Sequence, residues 1–251
     1  NTPKGVDITE LVTNARRLKE RIDAVVIPDM DNGVMRMSAL AGGALLRQQG
    51  MDTMIHVYGR DRNRMALQGD LLAAHVMGLN NIMVVSGEAM ANGDHRDAKP
   101  VDDLDESGII GAAASLAKGV DLAGFELKGA PEFTIGCSIA PFADEAAMAR
   151  EVEAAQEKVA AGAQFIITPP IFDLAWYAGL IDALKPLGAP VVGTVFLLKN
   201  VGMARYMSIN DPSARISEET IRRIRKAADR ETECIVMAAE MAAELRKMTQ
   251  G

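Results

Sequence analysis

The stretch that decides the fold is GMDTMIHVYGRDRNRMALQGDLLAAHVMGLNNIMVVSGE, Gly50–Glu88. A glycine precedes a short apolar, β-branched run (Thr53 to Tyr58). A helical segment follows, then a second glycine, Gly78, and a second such run, Asn81 to Ser86. Glycine tolerates the left-handed backbone that stops a helix, so each glycine is read as a helix-to-strand joint. The same unit recurs where Gly129 precedes FTIGCS, Gly162 precedes FIIT and Gly188 precedes PVVGTVF. With DAVVIP (Asp23 to Pro28) this predicts six strands, each followed by a helix. Runs apolar on both faces and rich in Val and Ile suit parallel strands covered by helices.

The helices are legible too. Asp7-x-x-Glu10 reads as a capping box, with Leu11, Ala15, Leu18 and Ile22 as the inner stripe behind it. Met148, Val152, Ala155 and Val159 form the stripe of a later helix, and Ser217 with Glu218 and Glu219 opens another. Met237, Met241, Leu245 and Met248 read as core packing rather than a metal site. A repeated β–α unit predicts an α/β fold, either a (β/α)8 TIM barrel or a doubly wound sheet. The length of 251 residues is the usual barrel size. One strand before Asn1 and one after Gly251 would make eight, so the expectation is a barrel lacking its first and last strands in this sequence. No Pro/Ser-rich linker divides the chain, and residues 1–251 are expected to form a single domain.

Composition excludes several classes. With 49% apolar and 24% charged residues the chain is not mainly disordered. No apolar run reaches the roughly 18 residues that span a bilayer, so membrane insertion is not expected. A net charge of −7 argues against nucleic acid as a partner. Two cysteines, Cys137 and Cys234, are too few for a disulfide framework or a structural zinc site, and a reducing cytoplasm is the expected location. No metal motif, Walker A loop, GxGxxG or GxSxG is present.

In parallel barrels chemistry sits at the C-terminal ends of strands. That rule selects Asp29 and Asp31, the run His56 to Asp61, Ser86-Gly87-Glu88, Ser138, Thr168 and Phe196. Asp29, His56, Asp61 and Glu88 are expected to contribute to one mouth. Each has a plainer structural reading. His56 alone reads best as a satisfied core histidine, Asp29 and Asp31 as turn formers, Ser86-Gly87-Glu88 as a tight turn and cap, and GRDRNR (Gly59 to Arg64) as a solvated charge run. The connection GEAMANGDHRDAKPVDDLD (Gly87 to Asp105) is far longer than an ordinary βα loop. A polar loop of this length suits the wrapping of a large polar cofactor.

The run His56 to Glu88, followed by GDHRDAKPVDDLD (Gly93 to Asp105), resembles the methylenetetrahydrofolate reductase family in its short bacterial form. VVIPD (Val25 to Asp29), EKVAAGAQFIITPPIFD (Glu157 to Asp173) and PVVGTVFLLKNVGMARYM (Pro190 to Met207) match in order and spacing, so the resemblance covers nearly the whole chain. It implies a flavin-bearing (β/α)8 barrel that interconverts 5,10-methylenetetrahydrofolate and 5-methyltetrahydrofolate, with FAD, or alternatively FMN, as cofactor and NAD(P)H as a candidate electron donor.

The resemblance also implies roles for residues. His56, Asp29, Asp31, Ser86, Gly87, Glu88 and Asp102 fall on cofactor-contacting positions, and Lys158 matches a cofactor contact to phosphate. Glu88 stands where the family has aspartate, is the candidate catalytic carboxylate, and with Thr168 lies on the substrate side. The family's general acid, a glutamate, would lie upstream of Asn1. Pro28 and Pro169 stand where the family has threonine and glutamine, and proline offers no side-chain hydrogen bond. These losses bear on the reductant and the folate. They imply electrons from a zinc or iron–sulfur partner subunit, hence an oligomer or hetero-complex. The alternatives are a folate-binding barrel methyltransferase and a non-redox subunit of a one-carbon electron-transfer complex.

Overall fold

The computed structural model describes all 251 residues except the side chain of Pro212. The chain divides into two compact units, Asn1–Cys137 with Ala160–Ala163, and Ser138–Val159 with Gln164–Gly251. The first unit runs α1 (Thr9–Leu18), β1 (Val25–Ile27), α2 (Ala39–Gln48), β2 (Thr53–Val57), α3 (Arg64–Val76), β3 (Asn81–Val84), α4 (Glu106–Ala117) and all but the last residue of β4 (Thr134–Ser138). Strands β1 to β4 lie side by side in sequence order, and every pairing is parallel, with Ile55 opposite Ile82 and Ile82 opposite Ile135. The second unit holds most of α5 (Glu145–Ala161), then β5 (Phe165–Pro170), α6 (Leu174–Leu184), β6 (Val191–Thr194), α7 (Val201–Asn210), α8 (Glu218–Lys226) and α9 (Arg230–Leu245). Its strands β5 and β6 are parallel. The chain is thus an α/β protein of parallel strands alternating with helices.

Short polar side chains start the helices. Asn63 accepts the N–H groups of Met65 and Ala66, Asp105 that of Gly108, Asp173 that of Trp176, and Asn200 that of Met203. Each satisfies donors left over in the first turn. Ser217 opens α8 by accepting from Thr220, as expected. The five joint glycines all have positive φ. Gly119, however, stops α4, and Gly129 lies further on, inside the connection to β4.

The first helix corrects the sequence reading. Asp7 accepts the N–H of Thr9, two residues on, and no side chain caps α1, so the capping box does not form. The helix ends at Leu18, and Ile22 lies outside it with 41% exposure.

Packing follows the strand alternation. Ile27 and Ile55 face α2, where Gly42 and Gly43 let the helix lie close to the sheet: a methyl group on Gly43 would stand 2.9 Å from Ile55 Cγ2. His56, one residue on, therefore points to the opposite face. The α4 stripe Ile109, Ile110, Ala113 and Leu116 is fully buried. In the second unit Leu198, Ala204, Ile216, Ile221, Ile224 and Cys234 form an apolar cluster, with Met237 packed against it. The α9 methionine stripe thus contributes to a core. Past α9 the chain returns to β6: Gln250 N–H donates to the Val191 carbonyl at 3.0 Å, and Gly193 N–H to that of Gly251 at 2.7 Å. Among the described residues no helix is long and apolar enough to cross a membrane.

Candidate active site

The ends of β1, β2 and β3 bring Asp29, Asp31, His56 and Glu88 within electrostatic reach of one another. His56 is half-buried, and burial pushes its pKa below the ordinary 6.5 against the opposing pull of Asp31, Glu88 and Asp29. The imidazole is therefore neutral at pH 7, with one N–H to donate and one nitrogen to accept.

Asp29 is almost fully buried, and both its oxygens are engaged. Oδ1 accepts the Ala39 N–H at the start of α2 at 2.8 Å, and Oδ2 pairs with Arg62 at 2.8 Å. Arg62 also pairs with Asp70 at 2.7 Å. Burial opposes the charge on Arg62, but the two carboxylates outweigh it and raise its pKa. The Tyr58 hydroxyl donates to the Asp29 carbonyl, and burial, then the Asp29 charge, raises its pKa, so it remains a donor. Asp31 takes the side-chain amides of Asn1 and Asn32. Met30 and Asn32, on either side of it, have positive φ.

Ser86, Gly87 and Glu88 divide their roles. The Ser86 hydroxyl donates to the Glu106 carboxylate in the first turn of α4. Gly87 lies flat on its neighbours: a methyl group there would stand 3.0 Å from Arg60 Cβ, 3.2 Å from Arg60 Cδ and 3.3 Å from Tyr58 Cδ2. Gly87→Ala is expected to cost roughly 1–3 kcal/mol, the usual penalty for overpacking a filled site. Urea denaturation measures it, and an unchanged midpoint would contradict the contact. The Glu88 side chain is 42% exposed.

The long loop is ordered by four ties. Gly33 and Gly93 pack backbone to backbone, and Asp94 N–H donates to the Gly33 carbonyl at 3.3 Å. The Asp94 carboxylate takes Lys4 and the Met35 N–H. Val101 and Asp102 donate their N–H groups to the Arg60 and Gly59 carbonyls at 2.7 and 3.2 Å. Asp103 grips Arg64 with both oxygens. Asp102 thus joins the loop through its main chain. Between the loop and the β1 and β2 ends is a hollow of about 350 Å³ walled by Met30, Met35, Met90, Arg60, Asp61 and His95.

These groups divide the acid response in two. The folded pKa of His56 is lowered, so below about 6.5 the unfolded chain binds more protons and stability falls as the pH drops. Asp94 and Asp103 are held at about 2 by their side-chain partners Lys4 and Arg64, so their contribution is complete above 3.8 and fades as pH drops toward 2. Urea midpoints are expected to decline in both windows, the upper decline disappearing in His56→Gln. An upper decline that persists in that variant would contradict the assignment.

In the second unit, Lys158 extends the inner stripe of α5 beside Ala155 and is 7% exposed, so it is not a solvated helix lysine. Its ammonium donates to the Ser138 carbonyl at 3.0 Å. Thr168 is buried in β5, where its hydroxyl accepts the Thr194 N–H at 3.0 Å and its carbonyl accepts the Thr194 hydroxyl at 2.6 Å, beside the irregularity at Pro170.

The strand-end rule selects the run that holds Tyr58 and Arg60, but the sequence reading assigns no role to either, nor to Arg62. The available signal was three arginines in six residues at a strand end that already held carboxylates. Arg60 is only 4% exposed, so within GRDRNR this arginine is buried while Arg64 stays exposed. Among the described residues, no group of three or more His, Cys, Asp and Glu side chains is placed to hold a metal ion.

The model of the methylenetetrahydrofolate reductase family matches residues 1–250. The chain belongs to the methylenetetrahydrofolate reductase family. Membership implies an enzyme of the folate reductase kind, with folate and one-carbon chemistry. No curated protein is significantly similar to this family member in sequence. Among solved structures it is similar to a candidate lyase/mutase from Burkholderia cenocepacia J2315, with TM-score 0.45, 16% identity, and 89% of this chain and 99% of that one covered. It is also similar to the carboxyl transferase domain of Rhizobium etli pyruvate carboxylase with pyruvate and biocytin, with TM-score 0.44, 12% identity, and 80% and 38% of the two chains covered. Neither likeness enters the reading of the reductase-family site.

Proposed function

We propose that the chain is a flavin-dependent oxidoreductase that interconverts 5,10-methylenetetrahydrofolate and 5-methyltetrahydrofolate. The observation that carries this reading is the family match over residues 1–250, whose strand ends bear a neutral histidine facing carboxylates. FAD is the proposed cofactor and FMN the alternative. When bound, the flavin supplies the hydride or electrons.

The chain's own groups have separate tasks in this proposal. His56 offers a neutral N–H to the cofactor without adding positive charge. Glu88 holds a fixed negative charge toward the folate, where cationic character develops at the methylene. The exposed part of the Glu88 side chain leaves it able to meet a ligand. Lys158 is proposed as a contact to the cofactor phosphate, and Thr168 as part of the substrate side. The main-chain ties of Asp102 and the carboxylate of Asp31 shape the loops against the cofactor. The proposed fold is a (β/α)8 barrel over residues 1–251, a reading in keeping with the parallel, sequence-ordered strands β1 to β4.

Pro28 and Pro169 favour a partner subunit, carrying zinc or an iron–sulfur cluster, over direct use of NAD(P)H. The test is turnover of 5-methyltetrahydrofolate with an artificial electron acceptor, followed by stopped-flow reduction with NADH. Turnover with the artificial acceptor and slow reduction by NADH is the expected pair. No turnover with any acceptor would overturn the proposal, and reduction by NADH at the turnover rate would remove the partner.

A further inference from the structure

Arg60 opens the segment after β2, where an arginine side chain ordinarily lies in water. Here the residue is buried and its guanidinium is engaged along every edge. Nε and Nη2 donate to the two oxygens of Asp61, each at 2.8 Å. Nη2 also donates to the Tyr58 hydroxyl at 3.0 Å and, at 3.4 Å, to the Met30 carbonyl. Nη1 donates to the Glu88 carbonyl at 2.9 Å and lies 3.7 Å from Glu88 Oε2. The guanidinium carbon stands 4.7 Å from the centre of the Tyr58 ring, and the aliphatic stem is covered by Gly87.

These partners come from three successive strand ends: Met30 after β1, Tyr58 and Asp61 after β2, Glu88 after β3. A planar fork can hold such a set, whereas the single ammonium of lysine cannot. The distribution of partners is also informative. Asp61 takes the bidentate pairing and balances most of the charge, while Glu88 receives one main-chain hydrogen bond and one long ionic contact. Its carboxylate is therefore oriented without being consumed in a fork-to-fork pair.

We infer that Arg60 is the positioning residue of this site, fixing the main chain at Glu88 and hence the place and direction of the Glu88 carboxylate. The inference rests on the proposed action of Glu88 on the folate. It is tested with Arg60→Lys and Arg60→Met, each alone and combined with Glu88→Gln. Steady-state kinetics with 5-methyltetrahydrofolate are measured beside flavin affinity and amide hydrogen exchange of residues 86–89. Arg60→Lys is expected to lower kcat about 10-fold and Arg60→Met about 100-fold, the scale of a misplaced reacting group, with KM within about threefold. Exchange at residues 86–89 rises while flavin affinity is kept. With glutamine at position 88, either Arg60 substitution lowers kcat by less than about threefold further.

An equal loss of kcat in both backgrounds, or full activity in Arg60→Lys, would overturn the inference and leave the reductase reading intact. A wild-type protein without turnover would remove the reading and the inference together. Should Arg60→Met fail to fold, Asp61→Asn loosens the fork while keeping the guanidinium. It carries the same expectation with a smaller loss of kcat, again suppressed by Glu88→Gln, and an unsuppressed loss overturns the inference.

Discussion

Glu88→Gln is expected to reduce turnover of the folate roughly 100-fold while changing flavin affinity by less than about threefold. The substitution keeps the size of the side chain and removes its charge. The main chain at Glu88 is held by Arg60 whichever side chain is present, because the hydrogen bond runs to the carbonyl. The turn therefore survives, and the loss isolates the carboxylate's effect on the reacting methylene. Flavin titration and steady-state kinetics on the same preparation measure the two quantities. Equal losses in both would make Glu88 a cofactor or structural ligand instead.

Asp29→Ala is expected to lower stability by about 3 kcal/mol, because it breaks a largely buried ion pair and leaves Arg62 with only Asp70. For a chain of this size that is a fall of roughly 6–12 °C in Tm. The Ala39 N–H at the start of α2 also loses its acceptor. Calorimetry of the wild type and variant, with flavin affinity measured beside it, separates two roles for Asp29. A large fall in Tm with modest change in flavin affinity follows from the geometry, since both oxygens already have protein partners. Loss of flavin without loss of stability would contradict it.

Glycine joints before five β-branched runs, with the run at Asp23 to Pro28 read without one, were enough to locate the six strands to within a few residues, because parallel strands buried under helices leave a strong local pattern. The α1 register was less legible. Asp7 and Glu10 have capping-box spacing, but the choice between closing a helix and closing a two-residue turn depends on the chain's entry angle, which spacing does not encode. At the site, strand-end placement led to the expectation that Asp29, His56, Asp61 and Glu88 share one mouth, and the groups within electrostatic reach of His56 are Asp31, Glu88 and Asp29. The cationic half did not follow from placement. Beyond the local partners Asp61 and Asp70, whether an arginine in GRDRNR lies in water or in a clamp depends on groups contributed from 28 to 33 positions away, such as the Glu88 carbonyl to Arg60 and the Asp29 carboxylate to Arg62. Gly87 shows the same dependence. Its small size answers to the Arg60 stem lying against it, a contact between neighbouring strand ends. Lys158 is buried for a related reason: a strand-end carbonyl, here that of Ser138, accepts from its ammonium.

The most direct test of the central claim is the visible absorption spectrum of the purified protein, with acid release and chromatography of the chromophore. The account predicts a flavin spectrum, unchanged in general form by Glu88→Gln, and release of FAD. A colourless protein that takes up neither FAD nor FMN, even with its candidate partner present, would contradict the account and favour a folate-binding methyltransferase or a non-redox subunit.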